Sequence, residues 1–360
     1  MKIGIDYRFA IKSTRGIGYY IRELVQALMK LDHENTYLLY VDQAVSQTLP
    51  PNFYWRVLPF ANLIISEQLL LPFYAKKDRI DLFWYPSNSG PIWLSRSIHL
   101  LLTIHDLIFM QKVGNTSGYF RHRFGEYYRK WSLVWGISRV DELMAVSQFT
   151  ADEIRTRFNR EAQVIYNHVL PITVADSEEI LVRYHLKSKT YCYTISGIAP
   201  HKNIQTLLKL FSTVLRNELL VITGIPNRAH QRALLNGTCC PNIIFTDFIS
   251  EGEKQALLKN ARLFLFLSLY EGFGIPLLEA MQQHVPIIAS KQGAITEVLG
   301  GNGVLVDPLA LNEIESAIKQ ALEEPQDMRG YPVQLAKFTH WEESAQNFLA
   351  IIEKYKKKYG

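Results

Sequence analysis

The chain has 360 residues, 48 % apolar and 20 % charged, and 39 Lys and Arg against 34 Asp and Glu leave a net charge of +5. That length exceeds the roughly 250–300 residues that one hydrophobic core organises, so two domains are expected, and the balance excludes a mainly disordered chain. Mean hydropathy is −0.03, and no apolar run approaches the ~18 residues of a membrane-spanning helix. Asp6 and Arg8 interrupt any apolar signal core near the N-terminus, so a cytoplasmic protein is expected. Cys192, Cys239 and Cys240 stand at no zinc or disulfide-framework spacing, which agrees with a reducing compartment.

Short apolar runs alternate with helical patterns along the first half. The pattern predicts strands at Lys2–Tyr7, Thr36–Val41, Trp55–Leu58, Leu82–Tyr85, His99–Thr103, Glu142–Val146 and Gln163–Tyr166. Helices are predicted at Gly18–Leu31, where Ile21, Leu24, Val25, Leu28 and Leu31 recur at i, i+3, i+4 spacing, and at Thr150–Phe158. Residues 170–179 contain Pro171 and no period, and read as a linker. The pattern then restarts, with strands at Tyr191–Ser196, Leu219–Thr223, Ile243–Thr246, Leu263–Leu267, Pro286–Ala289 and Val304–Val306. Helices are predicted at Asn203–Leu215, Ser250–Asn260, Pro276–Gln283 and Asn312–Leu322. Two successive runs of strand–helix alternation imply two doubly wound α/β domains with parallel sheets, 1–170 and 171–340. Ligands in such folds bind beyond the carboxyl ends of the strands, so two facing domains would form one cleft. A last amphipathic helix, 341–355, ends in a basic tip expected to be solvated.

Charge is uneven along the chain. Residues 1–170 carry 20 Lys and Arg against 15 Asp and Glu, whereas residues 171–360 carry 19 of each. Within 112–139, Lys112, Arg121, Arg123, Arg129, Lys130 and Arg139 face a single acid, Glu126, and seven aromatics are interleaved with them. A basic aromatic helix reads either as a membrane-surface face or as a helix with its aromatics packed inward.

Four segments can carry chemistry. The first is Glu271-Gly-Phe-Gly-Ile-Pro-Leu-Leu-Glu279, after a strand and opening a helix. Gly272 and Gly274 let backbone approach a ligand, and Pro276 suits a first helical turn whose N–H groups favour an anion. Glu271 and Glu279 can accept hydrogen bonds from sugar hydroxyls; the plainer alternative is a strand–turn–helix with a solvated acid. The second, Ser196–Asn203, places Lys202 at a strand's carboxyl end before a helix, which suits a diphosphate clamp as well as it suits a surface lysine. The third, Lys12-Ser-Thr-Arg15-Gly16-Ile-Gly18, resembles a phosphate loop. Ile21 stands where the dinucleotide fingerprint needs its third glycine, although Asp42 ends the second strand as that fold requires. The fourth, His105-Asp106, closes a strand; His105 can face a sugar or be structural, and Asp106 can orient a neighbouring loop. No D-x-D pair occurs, so no metal-bridged diphosphate site is read.

These segments, in this order, resemble glycosyltransferase family 4, which has the two-domain GT-B fold. The specific match is the E-x7-E of Glu271 and Glu279. Supporting matches are RGIGYY at Arg15–Tyr20, HDLIF at 105–109, VSQFTADEI at 146–154, VIYN at 164–167, PHKN at 200–203 and the tail THWEESAQNFL. The resemblance spans nearly the whole chain. It implies a retaining, metal-independent transfer of a hexose, mannose or a deoxyhexose, from a nucleotide-diphosphate sugar, with no further cofactor. The acceptor would be a glycan or a polyprenyl-diphosphate-linked glycan of surface-polysaccharide assembly, and nucleic acid is no partner, since no known module appears.

Residue by residue, the resemblance implies that Lys202 holds the diphosphate and Glu279 the ribose. Glu271 and the N–H groups of Phe273, Gly274 and Ile275 would hold the donor sugar, and His105 would face the ring. Gly16, with Gly18 and Arg15 beside it, would line the diphosphate and acceptor, Asp106 would join the substrate-binding residues, and His105 and Glu271 would be the catalytic ones. It also implies that helix 341–355 returns to the N-terminal domain. One departure stands out: Ile198 occupies the usual arginine position after Gly197, and Arg15 would compensate. The basic excess in 1–170 predicts peripheral contact with an anionic inner membrane face. The rival functions are an epimerase of the same fold and a non-catalytic sugar-nucleotide-binding subunit.

Overall fold

The computed structural model describes the chain except residues 14–15, 61, 112–119, 173–178, 238, 248, 325 and 360; at 120–124, 126, 358 and 359 only the backbone is described. The chain divides into two compact units. The first runs from Met1 to Gln111 and from 120 to His168, and resumes at His340; the second is Val169–Thr339. The predicted Arg15 and most of the 170–179 linker therefore lie outside the described residues, while Glu179 opens a short helix, Glu179–Arg183.

The first unit is a seven-stranded sheet. Its strands are β1 (Lys2–Asp6), β2 (Thr36–Val41), β3 (Phe53–Val57), β4 (Leu82–Tyr85), β5 (His99–Ile104), β6 (Glu142–Ala145) and β7 (Gln163–Val164). They lie in the order β3-β2-β1-β4-β5-β6-β7, and every pair is parallel. In register, Ile3 stands opposite Tyr37 on one side and Leu82 on the other. All four residues of β4, Leu-Phe-Trp-Tyr, are buried, as expected for a central parallel strand covered on both faces. Helix Ile17–Leu31 buries Ile21, Leu24, Val25 and Leu28 of the stripe that its periodicity predicts, with Tyr20 beside them, whereas Leu31 in the last turn is exposed.

The last helix, Trp341–Tyr359, belongs to this first unit. The Trp341 ring meets Tyr20 edge-on at 5.7 Å, and Phe348 lies 4.8 Å from Trp84. Its basic tip is not simply solvated: Lys354 pairs with Glu142 at 2.8 Å and Lys356 with Glu34 at 3.5 Å. Residues 63–77 are also helical, with a single π turn at Ser66–Leu70 in which the Leu71 N–H reaches back to the Ser66 carbonyl. No helix was expected there, because LIISEQLLLPF shows no clean 3.6-residue period and contains Pro72.

The second unit has six parallel strands in the order β10-β9-β8-β11-β12-β13. They are β8 (Tyr191–Ile195), β9 (Leu219–Thr223), β10 (Ile243–Phe245), β11 (Leu263–Phe266), β12 (Ile287–Ser290) and β13 (Val304–Val306). This is the nucleotide-binding strand order, with its reversal between β8 and β11. One core cluster joins Leu207, Phe211, Ile222, Leu265 and Ile288. Helix Glu251–Asn260 opens on a capping box between Ser250 and Glu253, the reciprocal arrangement that fixes a helix start. Helix Ile204–Ser212 begins one residue later than expected, because Asn203 takes a left-handed conformation, φ 53°.

Candidate functional site

The second unit brings two of the predicted segments together at its strand-reversal point. Strand β8 leads to a single turn, Pro200–Lys202, capped by left-handed Asn203. Asn203 Nδ2 donates to the carbonyls of Leu267 and Pro308 at 3.1 and 2.9 Å. The Leu269 N–H donates to the His201 carbonyl at 2.7 Å. These bonds lace the loop after β8 to the loop after β11, and Lys202 Nζ thereby reaches Glu271 Oε1 at 2.7 Å. Both side chains are only partly buried, so the ammonium is held in place while still open to an incoming anion. Neighbouring His201 is held below its usual pKa, by burial first and then by the Lys202 charge.

Downstream, Gly274 caps helix Ile275–Gln282 at φ 118°, a conformation that L side chains rarely adopt. The Ala294 N–H donates to the Glu271 carbonyl at 3.0 Å. A Cβ on Gly293 would lie 2.5 Å from that same carbonyl oxygen, so Gly293 allows the second backbone to close over the Glu271 loop. The Phe273 ring is buried edge-on against Phe338 at 5.5 Å, which fixes the loop's path. Glu279 is not the solvated acid of the plainer reading. Lys254, buried on helix Glu251–Asn260, donates to it at 2.7 Å and also pairs with Glu251 at 2.5 Å. The sequence marked that helix but not Lys254, because a lysine within a helix ordinarily faces water. Ile198 is exposed, as an apolar residue at a charged position would be.

In the first unit the remaining described candidates lie beyond the carboxyl ends of β1, β2 and β5. Gly16 caps helix Ile17–Leu31 at φ 57° and is exposed. Gly18 is buried; a Cβ there would meet the Ser13 carbonyl at 2.2 Å, so its smallness serves the close packing of this turn. Asp42 is bound in an ion pair with Lys12, which gives the dinucleotide-type acid a structural partner. Asp106 accepts from the Ile108 N–H at 3.2 Å and so orients the turn after His105.

His105 follows β5 and is buried, its ring edge-on to Tyr20 at 5.0 Å. Its Nε2 lies 2.8 Å from the Pro86 carbonyl. A carbonyl only accepts, so Nε2 carries the proton and Nδ1 keeps its lone pair. Burial holds the imidazole neutral, pushing its pKa down to about 4. The His105 N–H donates to Asn88 Oδ1 at 2.6 Å. Asn88 was not singled out, although the turn-rich PSNSG after β4 was the available signal.

On helix Phe120–Gly136, the side chains of Arg121 and Arg123 lie outside the described residues. Arg129 stacks over the Phe109 ring at 5.9 Å, and Lys130 is exposed. Tyr128 is buried, but Tyr127, Trp131 and Trp135 are exposed by 63, 47 and 66 %, so the inward-packing alternative holds for only part of the stripe. Among the described residues no helix is long and apolar enough to cross a membrane.

Two sequence families match. Residues 14–170 match Glycosyltransferase Family 4, and residues 177–337 match Glycosyl transferases group 1. The O-antigen chain mannosyltransferase B of Escherichia coli is 27 % identical over 340 residues, covering 86 % of this chain and 87 % of that protein. Among solved structures, sucrose-phosphate synthase from Thermosynechococcus elongatus superposes with a TM-score of 0.73 at 16 % identity, over 99 % of this chain and 100 % of the other. Anabaena HepE in complex with UDP and glucose gives 0.72 at 14 %, over 98 and 99 %. The fold is GT-B.

Proposed function

The chain belongs to the group 1 glycosyltransferases of family 4, and from that premise we propose that it transfers a hexose, mannose or a deoxyhexose, from a nucleoside diphosphate sugar to a glycan or lipid-linked acceptor, with retention and without a metal. The observation that carries this reading is the Lys202–Glu271 pair, 2.7 Å apart beside the Gly274 helix start. It offers a partly open cation and helix N–H groups for the phosphates and two carboxylates for the hydroxyls in one unit, which is the combination that a nucleoside diphosphate sugar requires. The mannosyltransferase relative supports mannose, and HepE, which binds UDP, supports a nucleoside diphosphate.

In the proposed reaction the bond from the anomeric carbon to the diphosphate oxygen breaks as the bond to the acceptor oxygen forms on the same face. The anomeric centre passes through an oxocarbenium-like state. Negative charge grows on the leaving diphosphate, where Lys202 and the start of helix Ile275–Gln282 stabilise it. The acceptor proton goes to the departing phosphate oxygen. Glu279, aligned by Lys254, accepts from the ribose hydroxyls. Neutral His105 accepts a sugar hydroxyl through Nδ1, and Glu271 accepts another. A thermal-shift panel of GDP-, UDP- and dTDP-sugars tests the reading, since a ligand at 100 times its Kd adds about 2.7 kcal/mol of stability. One nucleotide should raise the midpoint and support transfer in EDTA; a panel without any shift refutes the proposal.

We further infer peripheral binding to an anionic membrane through helix Phe120–Gly136. The exposed stripe of Tyr127, Trp131 and Trp135 beside Lys130 supports it. Aromatics seat at the headgroup level and each basic residue adds about 1 kcal/mol. Liposome co-sedimentation should show salt-sensitive binding that weakens in Trp131→Ala/Trp135→Ala and in Arg121→Glu/Arg123→Glu. Equal binding to neutral and anionic vesicles refutes it.

A further inference from the structure

In the first unit, the π turn Ser66–Leu70 turns two adjacent polar side chains, Glu67 and Gln68, toward the loop after β4. Glu67 is fully buried. The Tyr128 hydroxyl donates to Glu67 Oε1 at 2.9 Å, and the Ser89 hydroxyl to Oε2 at 3.0 Å. Gln68 Nε2 donates to the Gly90 carbonyl at 3.1 Å and to Tyr128 Oη at 2.9 Å, while its Oε1 accepts from the Ile92 N–H at 3.0 Å. Ser132 donates to the same Gly90 carbonyl at 2.6 Å. Loop 86–92 is thus held from outside by the Glu67–Gln68 pair and helix Phe120–Gly136. Its other side holds His105, through the Pro86 carbonyl on Nε2 and through Asn88 on the backbone N–H.

We propose that Glu67 is a positioning residue for His105: by anchoring loop 86–92 through Ser89, it fixes the imidazole's tautomer and aim without touching a substrate. A buried carboxyl is costly, and a hydrophobic residue would fill the same space at less cost. The loop it anchors carries two of the bonds that define His105, whose assignment as the sugar-facing group rests on the proposed function. The charged and titratable groups around Glu67 are Asp6 and Arg8 at the end of β1, Tyr85 of β4 and Tyr128. Burial, with Asp6 adding and Arg8 opposing, raises the Glu67 carboxyl to about 7. In the protonated form Oε2–H can donate to Ser89 in place of the bond it accepts from the Ser89 hydroxyl. The amide of a glutamine can reproduce both bonds.

Histidine-labelled protein tests this by imidazole ¹⁵N NMR, with His105 signals assigned by their loss in His105→Asn. No donor or acceptor is needed, so the result stands apart from whether the transfer reading holds. Wild type should show His105 as the Nε2–H tautomer, resisting protonation well below the ordinary histidine range. Glu67→Ala should shift its pKa upward by roughly one unit or more and mix the tautomers. Glu67→Gln should restore the wild-type signature, and Ser89→Ala should move it in the same direction as Glu67→Ala. Unchanged His105 signals in folded Glu67→Ala overturn the proposal, as does a Glu67→Gln variant as disturbed as Glu67→Ala. Where Glu67→Ala does not fold, Ser89→Ala decides: an unmoved His105 there also overturns it.

Discussion

Replacing Lys202 by alanine removes the cation proposed to meet the diphosphate and strands the carboxylate that it neutralises. A charge-assisted hydrogen bond contributes about 1.5–3 kcal/mol, which corresponds to roughly 10- to 150-fold in dissociation constant. The structure pushes the effect toward the upper end. Glu271 Oε1 sits 2.7 Å from the lost ammonium, and its side chain is only 15 % exposed. Water screens it incompletely, and the incoming diphosphate meets an uncompensated negative charge. The sign of that second contribution is testable alone: Lys202→Ala/Glu271→Gln should bind the nucleotide more tightly than Lys202→Ala. Isothermal titration with GDP, UDP or dTDP, whichever stabilises the wild type, measures both steps, and circular dichroism checks the fold. A Lys202→Ala affinity within twofold of wild type would remove Lys202 from the site. A double variant weaker than the single one would show that Glu271 assists nucleotide binding rather than opposing it.

Lys254→Met should leave the partly buried Glu279 without its main cation, costing up to about 3 kcal/mol of stability and weakening nucleotide affinity; Lys254→Met/Glu279→Gln should recover the stability but not the affinity, and urea denaturation with titration tells these apart. Gly293→Ala should lower both the melting midpoint and nucleotide affinity, with roughly 1–3 kcal/mol of backbone strain, since its φ is +63° and the new Cβ meets the Glu271 carbonyl; unaltered affinity would contradict the close backbone approach. Acidification should destabilise the protein through His105 and His168, each held down to about 4 by burial. Between pH 6.5 and 4 the unfolded chain binds more protons at these sites, so stability falls by roughly 3 kcal/mol per histidine over that window. Glu67, raised to about 7, acts with the opposite sign, its contribution being present at low pH and lost as pH rises toward 7. His168→Asn should flatten the acid limb measured by urea titration at pH 5 and 7; a limb as steep as wild type would refute it.

Much of this molecule follows from local pattern. Runs such as Thr36–Val41 and Leu82–Tyr85 are strands with the predicted bounds, because a central parallel strand needs β-forming, apolar residues at every position. Helix Ile17–Leu31 was legible from its stripe, and E-x7-E with PHKN named the family because glycines, a proline and charges at fixed offsets encode a loop shape. What local pattern lacks is who meets whom. That Lys202 pairs with Glu271, 69 residues away, depends on Asn203 tying two loops together. That Glu279 belongs to Lys254, and that Glu67 reaches His105 through Ser89 and Asn88, depends on elements brought side by side by the sheet order. Glu67 sits in a segment with no helical period, and hydroxyls from residues 89 and 128 offset the desolvation that its burial costs. Hydrophobic periodicity reports which face of an element leaves water. Partners of buried charges are chosen by long-range packing, which no window along the chain contains.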